Sequence, residues 1–460
     1  VRRREQSRAS ARTAPGLAAR KIALEILLDV DRHGAYADAL LGGRIPALEA
    51  ADRRLVTRIV LGSLAWRARL DFELERLAGR DLTKIQPAAV AIMRIGIFQL
   101  RFLDRIPKHA AVSTSVELAK ESPEAKLAAG FINAVLRRAA RETIALPDRE
   151  SDELGYLALA YSHPRWLVER MIDWYGLDGA ERAMAANNEA APNAIRLNLE
   201  RGSREEIVVR LAADGMEIDR AGRFPETAIL AGAPRFDCDS YHQGLFHPQS
   251  EVSQMVARML ASREGAIVAD LAAAPGGKTT HLAELAGASG RVIGLDLNFG
   301  GLRNARALTA RLGIRNAAFV CADSAAAVPM RSRCADGVLL DAPCTGLGTL
   351  REHPEIRWRV GPGDPARMSV LQARMLANAA AVVRPGGALV YSVCSVAPAE
   401  GEQVVRAFLR DFPEFRLAPP PAEIARALAD LIDTDGFMRT RPDRGGLDGF
   451  FAARIVRRPD

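Results

Sequence analysis

Hydrophobic periodicity changes twice along the chain and divides it into three textures. Over residues 17–141 apolar positions recur at helical spacing throughout. Ala128, Phe131, Ile132, Val135 and Leu136 stand at i, i+3, i+4, i+7 and i+8, one face of an amphipathic helix. Residues 90–103 are apolar nearly all round, as the central helix of a bundle would be. Five or six such helices are predicted, forming one all-α domain over residues 15–145. Helical spacing continues to about 190, broken by Pro147 and Pro164, with Pro164-Arg165-Trp166 opening a helix on a proline. At Pro192 the period shifts to two. Ala194-Ile195-Arg196-Leu197-Asn198-Leu199 alternates as a strand, and Ser203-Arg204-Glu205-Glu206 has the form of a capping box for a helix through Ala213. Short strands then run to about Ala231. Residues 146–243 are therefore a helical connector followed by a small α+β module. From 244 to 460 strands and helices alternate regularly, which predicts a parallel sheet covered by helices on both faces.

Composition narrows the setting. A chain of 460 residues with 48% hydrophobic and 26% charged residues is ordinary for a multidomain globular protein. Arg or Asp interrupts every apolar stretch before the roughly 18 residues a membrane span needs, so no membrane association is expected. Five cysteines without a C-x-x-C pair argue against a disulfide framework or a zinc knot and for a reduced, cytoplasmic compartment. The net charge of +7 is concentrated at the front. Residues 1–20 carry six Arg against one Glu, and residues 21–145 carry 20 Lys/Arg against 15 Asp/Glu, leaving −3 for the remainder. Such a front suits phosphate, although a solvated helical surface accounts equally well for any single Arg. Residues 1–14 are Arg-, Ser- and Ala-rich and read as a disordered basic arm; their composition also resembles an organellar transit peptide. Asn133 and His109 read as buried hydrogen-bonding residues of the helical domain.

The most telling chemistry follows the apolar run Ala266-Ile267-Val268-Ala269-Asp270-Leu271. The chain turns through Ala272, Ala273, Ala274, Pro275, Gly276, Gly277 and Lys278 into a predicted helix, letting backbone N–H groups approach a ligand closely. A second strand ends on Asp296, at about the spacing where nucleotide-binding sheets place an acid for ribose hydroxyls. Gly276-Gly277-Lys278-Thr279, with Asp341 ending a later strand, also invites a phosphate-binding P-loop. That pattern lacks its first glycine, which is Ala272 here, and leaves Asp296 without a role. Two further strand ends carry one cysteine each, Asp341-Ala342-Pro343-Cys344 and Tyr391-Ser392-Val393-Cys394-Ser395.

These four pieces, in this order, resemble the RNA 5-methylcytosine methyltransferases that use S-adenosylmethionine, over roughly the last 270 residues. Arg94-Ile95-Gly96-Ile97-Phe98-Gln99-Leu100, Ile106-Pro107-Lys108-His109-Ala110-Ala111-Val112 and Gly130-Phe131-Ile132-Asn133-Ala134-Val135-Leu136-Arg137 resemble the NusB antiterminator fold. The combination is similar to the RsmB (Sun/Fmu) family of bacterial ribosomal RNA methyltransferases. The resemblance implies three domains: a NusB-like helical domain that binds RNA, a small RNA-recognition-like module and a Rossmann-like methyltransferase domain over 244–460.

The same resemblance implies roles. The loop from Ala272 through Lys278 would cradle the methionine part of the cofactor, Asp296 its ribose, and Asp323, after a third strand, its adenine amino group. Carbon 5 of cytosine is a poor nucleophile until a thiolate adds to carbon 6. Cys394 would be that nucleophile, Asp341 would meet N3 and the amino group of the base, besides lying in the cofactor site, and Cys344 would assist release of the adduct. DNA cytosine methyltransferases place their nucleophile in a Pro-Cys pair, which leaves the reverse assignment open. Cys238, Cys321 and Cys334 read as packing residues. Arg351, Arg357 and Trp358, in Arg351-Glu352-His353-Pro354-Glu355-Ile356-Arg357-Trp358, resemble a loop that could grip RNA. His353 stands where Asn is common, Ala272 where Cys is usual, and Val393 where Thr is usual. Glu400-Gly401-Glu402 departs from a commoner Glu-Asn-Glu and has no role carried onto it. The expected substrate is a splayed cytidine of small-subunit ribosomal RNA, with transfer RNA as the alternative. A monomer is expected, and no metal is implied, because adduct formation and methyl transfer proceed without one.

Overall fold

The computed structural model describes residues 16–460; the basic arm expected over 1–14 lies outside the described residues. The chain separates into two compact units. One contains the residues through Glu189 together with Leu350–Arg359; the other contains Ala190–Thr349 and Val360–Asp460.

The first unit is helical. Its bundle comprises α1 (Leu17–His33), α2 (Ala37–Arg44), α3 (Ala50–Ala65), α4 (Arg67–Ala78), α5 (Pro87–Phe102), α6 (Lys108–Glu121) and α7 (Ala129–Ala139). Among the described residues this bundle has seven α-helices where periodicity suggested five or six, because α3 and α4 are parted by Trp66 alone and α2 is only eight residues long. α5 is the centre of this core, buried at every position from Ala88 to Gln99 except Arg94. Two glycines allow its close packing. A Cβ on Gly62 of α3 would lie 2.0 Å from the Phe98 ring, and one on Gly96 of α5 would lie 2.6 Å from Leu136 of α7. Any larger residue there must displace a packed side chain, and overpacking of this kind costs about 1–3 kcal/mol. His109 is exposed and Asn133 only half-buried, contrary to the buried roles read from sequence. α8 (Glu153–Ala160) and α9 (Arg165–Ala186) join this unit, and α9 breaks at Gly176, whose φ of 69° is left-handed.

The second unit carries two sheets. β1 (Asn193–Leu197), β2 (Ile218–Ala221), β3 (Thr227–Leu230) and β4 (Phe246–Pro248) form an antiparallel sheet in the order β2-β3-β1-β4. The helix Arg204–Ala213 packs with it behind a complete Ser203/Glu206 capping box. The expected boundary at 243/244 shifts, because β4 lies beyond it and pairs with β1. Three residues ending in proline are too short to display a two-residue period.

β5 (Ile267–Asp270), β6 (Arg291–Asp296), β7 (Ala317–Cys321), β8 (Ala335–Asp341), β9 (Val383–Val393), β10 (Phe415–Leu417), β11 (Met438–Arg439) and β12 (Phe451–Arg457) form the larger sheet. Its order is β10-β12-β9-β8-β5-β6-β7, with β11 paired to β12. β5 to β9 run parallel, whereas β12 is antiparallel to β9, so the sheet is mixed rather than purely parallel. Chain order reverses at β5, between β6 and β8. In open α/β sheets ligands bind beyond the carboxyl ends of strands at such a switch point. Among the described residues no helix is long and apolar enough to cross a membrane.

Candidate active site

At the carboxyl end of β5, Asp270 is buried and accepts a 2.6 Å hydrogen bond from the Thr279 hydroxyl. Burial raises its carboxyl pKa to about 6, and the nearby Asp341 charge adds to that rise. The loop after it is pinned at several points. Ala273 N donates to Leu295 O at 2.9 Å, and Ala274 N donates to Asp296 Oδ2 at 2.9 Å. Gly276 turns the chain into the helix Gly277–Leu285 with a φ of 106°. A Cβ there would lie 2.8 Å from the Ala305 backbone, so glycine is required on both conformational and steric grounds.

A residue missed in the sequence secures the same helix from the small sheet. Arg196, on β1, is buried and donates to Gly277 O at 2.7 Å and to Thr280 Oγ1 at 2.9 Å. It also pairs with Glu284 at 3.1 Å. A lone Arg between Ile195 and Leu197 is the only signal the sequence offers for this role.

The loop and acids fit S-adenosylmethionine. Asp296 is half-buried at the end of β6, and although its oxygens accept from Ala274 N and Asn298 N, each keeps a lone pair for a ribose hydroxyl. Asp323, beyond β7, is exposed and accepts from Ala325 N at 2.8 Å, keeping acceptor capacity for an amino group.

Across β8 and β9 the remaining groups converge. Lys278 Nζ lies 2.6 Å from Asp341 Oδ2, and Ser392 Oγ donates to Asp341 Oδ1 at 2.6 Å. Burial alone would lower the Lys278 pKa, but the Asp341 charge and hydrogen bond outweigh it and hold the ammonium above its ordinary value. The Sγ atoms of Cys344 and Cys394 are 3.1 Å apart. Cys344 is pushed well above the usual thiol range, first by its hydrogen bond to Cys394 and then by burial.

Glu400, to which the sequence assigned nothing, holds the two cysteine loops together. It is fully buried; its Oε1 accepts from Thr345 N at 2.8 Å, and its Oε2 accepts from Ser395 Oγ at 2.6 Å and from the Thr345 hydroxyl. Each of those partners directly follows one of the cysteines. Gly348 N adds a backbone bond to Cys394 O at 3.0 Å.

Three expected RNA contacts need correction. Arg351 and Arg357 are buried, and Trp358 is half-buried. Arg357 donates to the carbonyls of Ala65, Ser162, Asn187 and Leu350 and to Asn188 Oδ1, while Trp358 Nε1 donates to Leu64 O at 2.6 Å. Desolvation lowers the Arg357 pKa to about 9. Arg357 and Trp358 thus dock their own segment into the helical unit rather than gripping nucleic acid. Of the remaining cysteines, Cys238 is buried, whereas Cys321 is exposed and is not a packing residue.

The chain is similar to known proteins along most of its length. Residues 257–456 match the 16S rRNA methyltransferase RsmB/F model, residues 17–141 the NusB family, and residues 163–237 the ferredoxin-like domain of RsmF/B-like methyltransferases. The chain is 32% identical over 438 residues to a probable ribosomal RNA small subunit methyltransferase B of Bacillus subtilis, covering 94% of this chain and 97% of that one. It is 37% identical over 449 residues to the ribosomal RNA small subunit methyltransferase B of Thermus thermophilus, covering 95% and 97%. The crystal structure of PH0851 superposes with a TM-score of 0.82 at 28% identity, covering 96% of this chain and 99% of that one.

Proposed function

Since the chain belongs to the RsmB/F family of 16S rRNA methyltransferases, we propose that it methylates carbon 5 of a cytidine in small-subunit ribosomal RNA through a Cys394 adduct. The observation that carries the reading is the pair of thiols 3.1 Å apart beside the Lys278–Asp341 ion pair. Bound S-adenosylmethionine supplies an electrophilic methyl group. The chain's own residues do the rest. Cys394, as thiolate, forms a bond to carbon 6, and the pyrimidine 5,6 double bond opens, moving electron density to carbon 5 and N3. Asp341, fixed by Lys278 and Ser392, faces N3 and the amino group and holds the proton that N3 gains. Once carbon 5 carries the methyl group, its proton passes to water, the electron pair left behind restores the 5,6 double bond, the C6–S pair leaves on the Cys394 sulfur, and N3 gives back the proton it gained. Cys344 stays protonated and stands within reach of the departing sulfur, which suits it to assist that release. The target atom is inaccessible in a duplex, so the base enters from a loop or junction.

Trapping separates the two cysteines. Cys344→Ala should accumulate a protein–RNA complex that survives denaturing electrophoresis when S-adenosylmethionine is present. Cys394→Ala should form no such complex and transfer no methyl. A trapped complex with Cys394→Ala alone would exchange the two roles, and full activity in both variants would refute covalent catalysis here. Bisulfite sequencing of ribosomal RNA from a deletion strain identifies the modified cytidine, and an unchanged small-subunit pattern would exclude that substrate.

A further inference from the structure

The segment Leu350–Arg359 leaves a cluster of metal-binding side chains against the start of α2. Asp38, in the first turn of α2, His353 and Glu355 each present one ligand atom, and these atoms all lie within 4.8 Å of one another. Asp38 Oδ1 and His353 Nδ1 are 3.7 Å apart, too far for a direct hydrogen bond. Glu355 is 1% exposed. Its Oε1 accepts from Ala37 N at 3.0 Å, capping α2, but its Oε2 is buried without a hydrogen-bond partner. His353 Nδ1 is likewise buried and unpartnered. A buried carboxylate oxygen and a buried imidazole nitrogen, both unsatisfied and close together, form a costly arrangement that a cation would relieve.

We propose that Asp38, His353 and Glu355 bind a divalent first-row transition-metal ion of the zinc class. One imidazole nitrogen and two carboxylate oxygens are a zinc-type donor set, and water completes a tetrahedron. An ion about 2 Å from each donor holds them roughly 3.3 Å apart. On binding, the Asp38–His353 pair therefore closes by about 0.4 Å and no pair by more than about 1.5 Å, which the exposed Asp38 side chain can absorb. The site is structural. It pins the segment Leu350–Arg359 to α2 and supplies nothing to the methyl-transfer chemistry.

Cobalt(II) absorption of the full-length protein tests this without confusion from the cysteines, because thiolate ligands add intense near-ultraviolet charge-transfer bands that nitrogen and oxygen donors lack. The expected result is one cobalt ion with visible bands and no thiolate band, displaced by zinc. Asp38→Asn and His353→Asn should each weaken that binding at least tenfold, about 1.4 kcal/mol. Unchanged circular dichroism of the metal-free variants excludes misfolding, and Asp38, being exposed, is the safer of the two. Absence of bound metal, ligation through thiolates alone, or undiminished binding in either variant overturns the proposal.

Discussion

Replacing Arg357 by Met removes a guanidinium that makes five hydrogen bonds, to Ala65 O (3.2 Å), Ser162 O (3.1 Å), Asn188 Oδ1 (2.8 Å), Asn187 O (3.1 Å) and Leu350 O (3.2 Å). Charge-assisted bonds contribute at least about 1.5 kcal/mol each, so the five together amount to about 7–8 kcal/mol. Against this stands the cost of taking the cation out of water. The fall of its pKa from 12.5 to about 9 corresponds to about 5 kcal/mol. The net loss expected on substitution is about 3 kcal/mol, at the lower edge of what breaking a buried charge network costs. Tryptophan fluorescence is the assay, because Trp66, Trp166, Trp174 and Trp358, all four in the chain, lie in the helical unit and report its unfolding alone. With a urea slope of about 2 kcal/mol per molar, the midpoint should fall by about 1.5 M. Arg357→Lys, with three donors for five acceptors, should recover roughly half of that loss. A midpoint unchanged within about 0.3 M would refute the docking role and return Arg357 to the nucleic-acid surface.

Two further outcomes follow from the second unit. Asp296→Ala should weaken S-adenosylmethionine binding at least tenfold by calorimetry, about 1.4 kcal/mol, since it removes a ribose acceptor and the anchor of Ala274 N together; unchanged affinity would sink the assignment. Burial, with Arg charges nearby, lowers the His247 pKa to about 3 and the His281 pKa to about 4, so below about pH 6.5 the unfolded chain binds protons that the fold refuses, and stability falls with pH. Asp270, raised to about 6, takes up a proton in the fold between about pH 6 and 5 and offsets part of that loss. His247→Asn should flatten that slope in urea midpoints followed by circular dichroism; a variant as acid-sensitive as the parent would refute the account.

Candidate site residues were more legible in the sequence than the residues that hold them in place. Cysteines, glycines and acids at strand ends are unusual enough to stand out, and Asp341, Cys344 and Cys394 do lie together. Glu400 and Arg196 escaped because their partners are hydroxyls, amides and backbone atoms brought close only by folding. Arg357 and Trp358 misled for the same reason. A basic and aromatic run suggests a nucleic-acid surface, yet most of the acceptors it found are main-chain oxygens of Leu64, Ala65, Ser162 and Asn187. Main-chain acceptors are present in every sequence and mark none. Helix count failed more mildly, since a single residue, Trp66, separates α3 from α4 without disturbing the hydrophobic period.

The local charges bear on which cysteine attacks. Two thiols 3.1 Å apart cannot both ionise readily, because the second charge would form against the first in a partly dry site. What breaks the symmetry is the company each keeps. The Lys278 ammonium interacts electrostatically with Cys394, and the Glu400 carboxylate, bonded to both loops through Thr345 and Ser395, opposes a charge on Cys344. A nearby cation favours a thiolate and a nearby anion disfavours one. Burial and the neighbouring sulfur keep the proton on Cys344, and in the proposed mechanism that S–H is what the adduct needs when it breaks. Lys278 pairs with Asp341 and interacts with Cys394 as well, so in the proposed mechanism one ammonium serves both the acid that meets the base and the cysteine that attacks it.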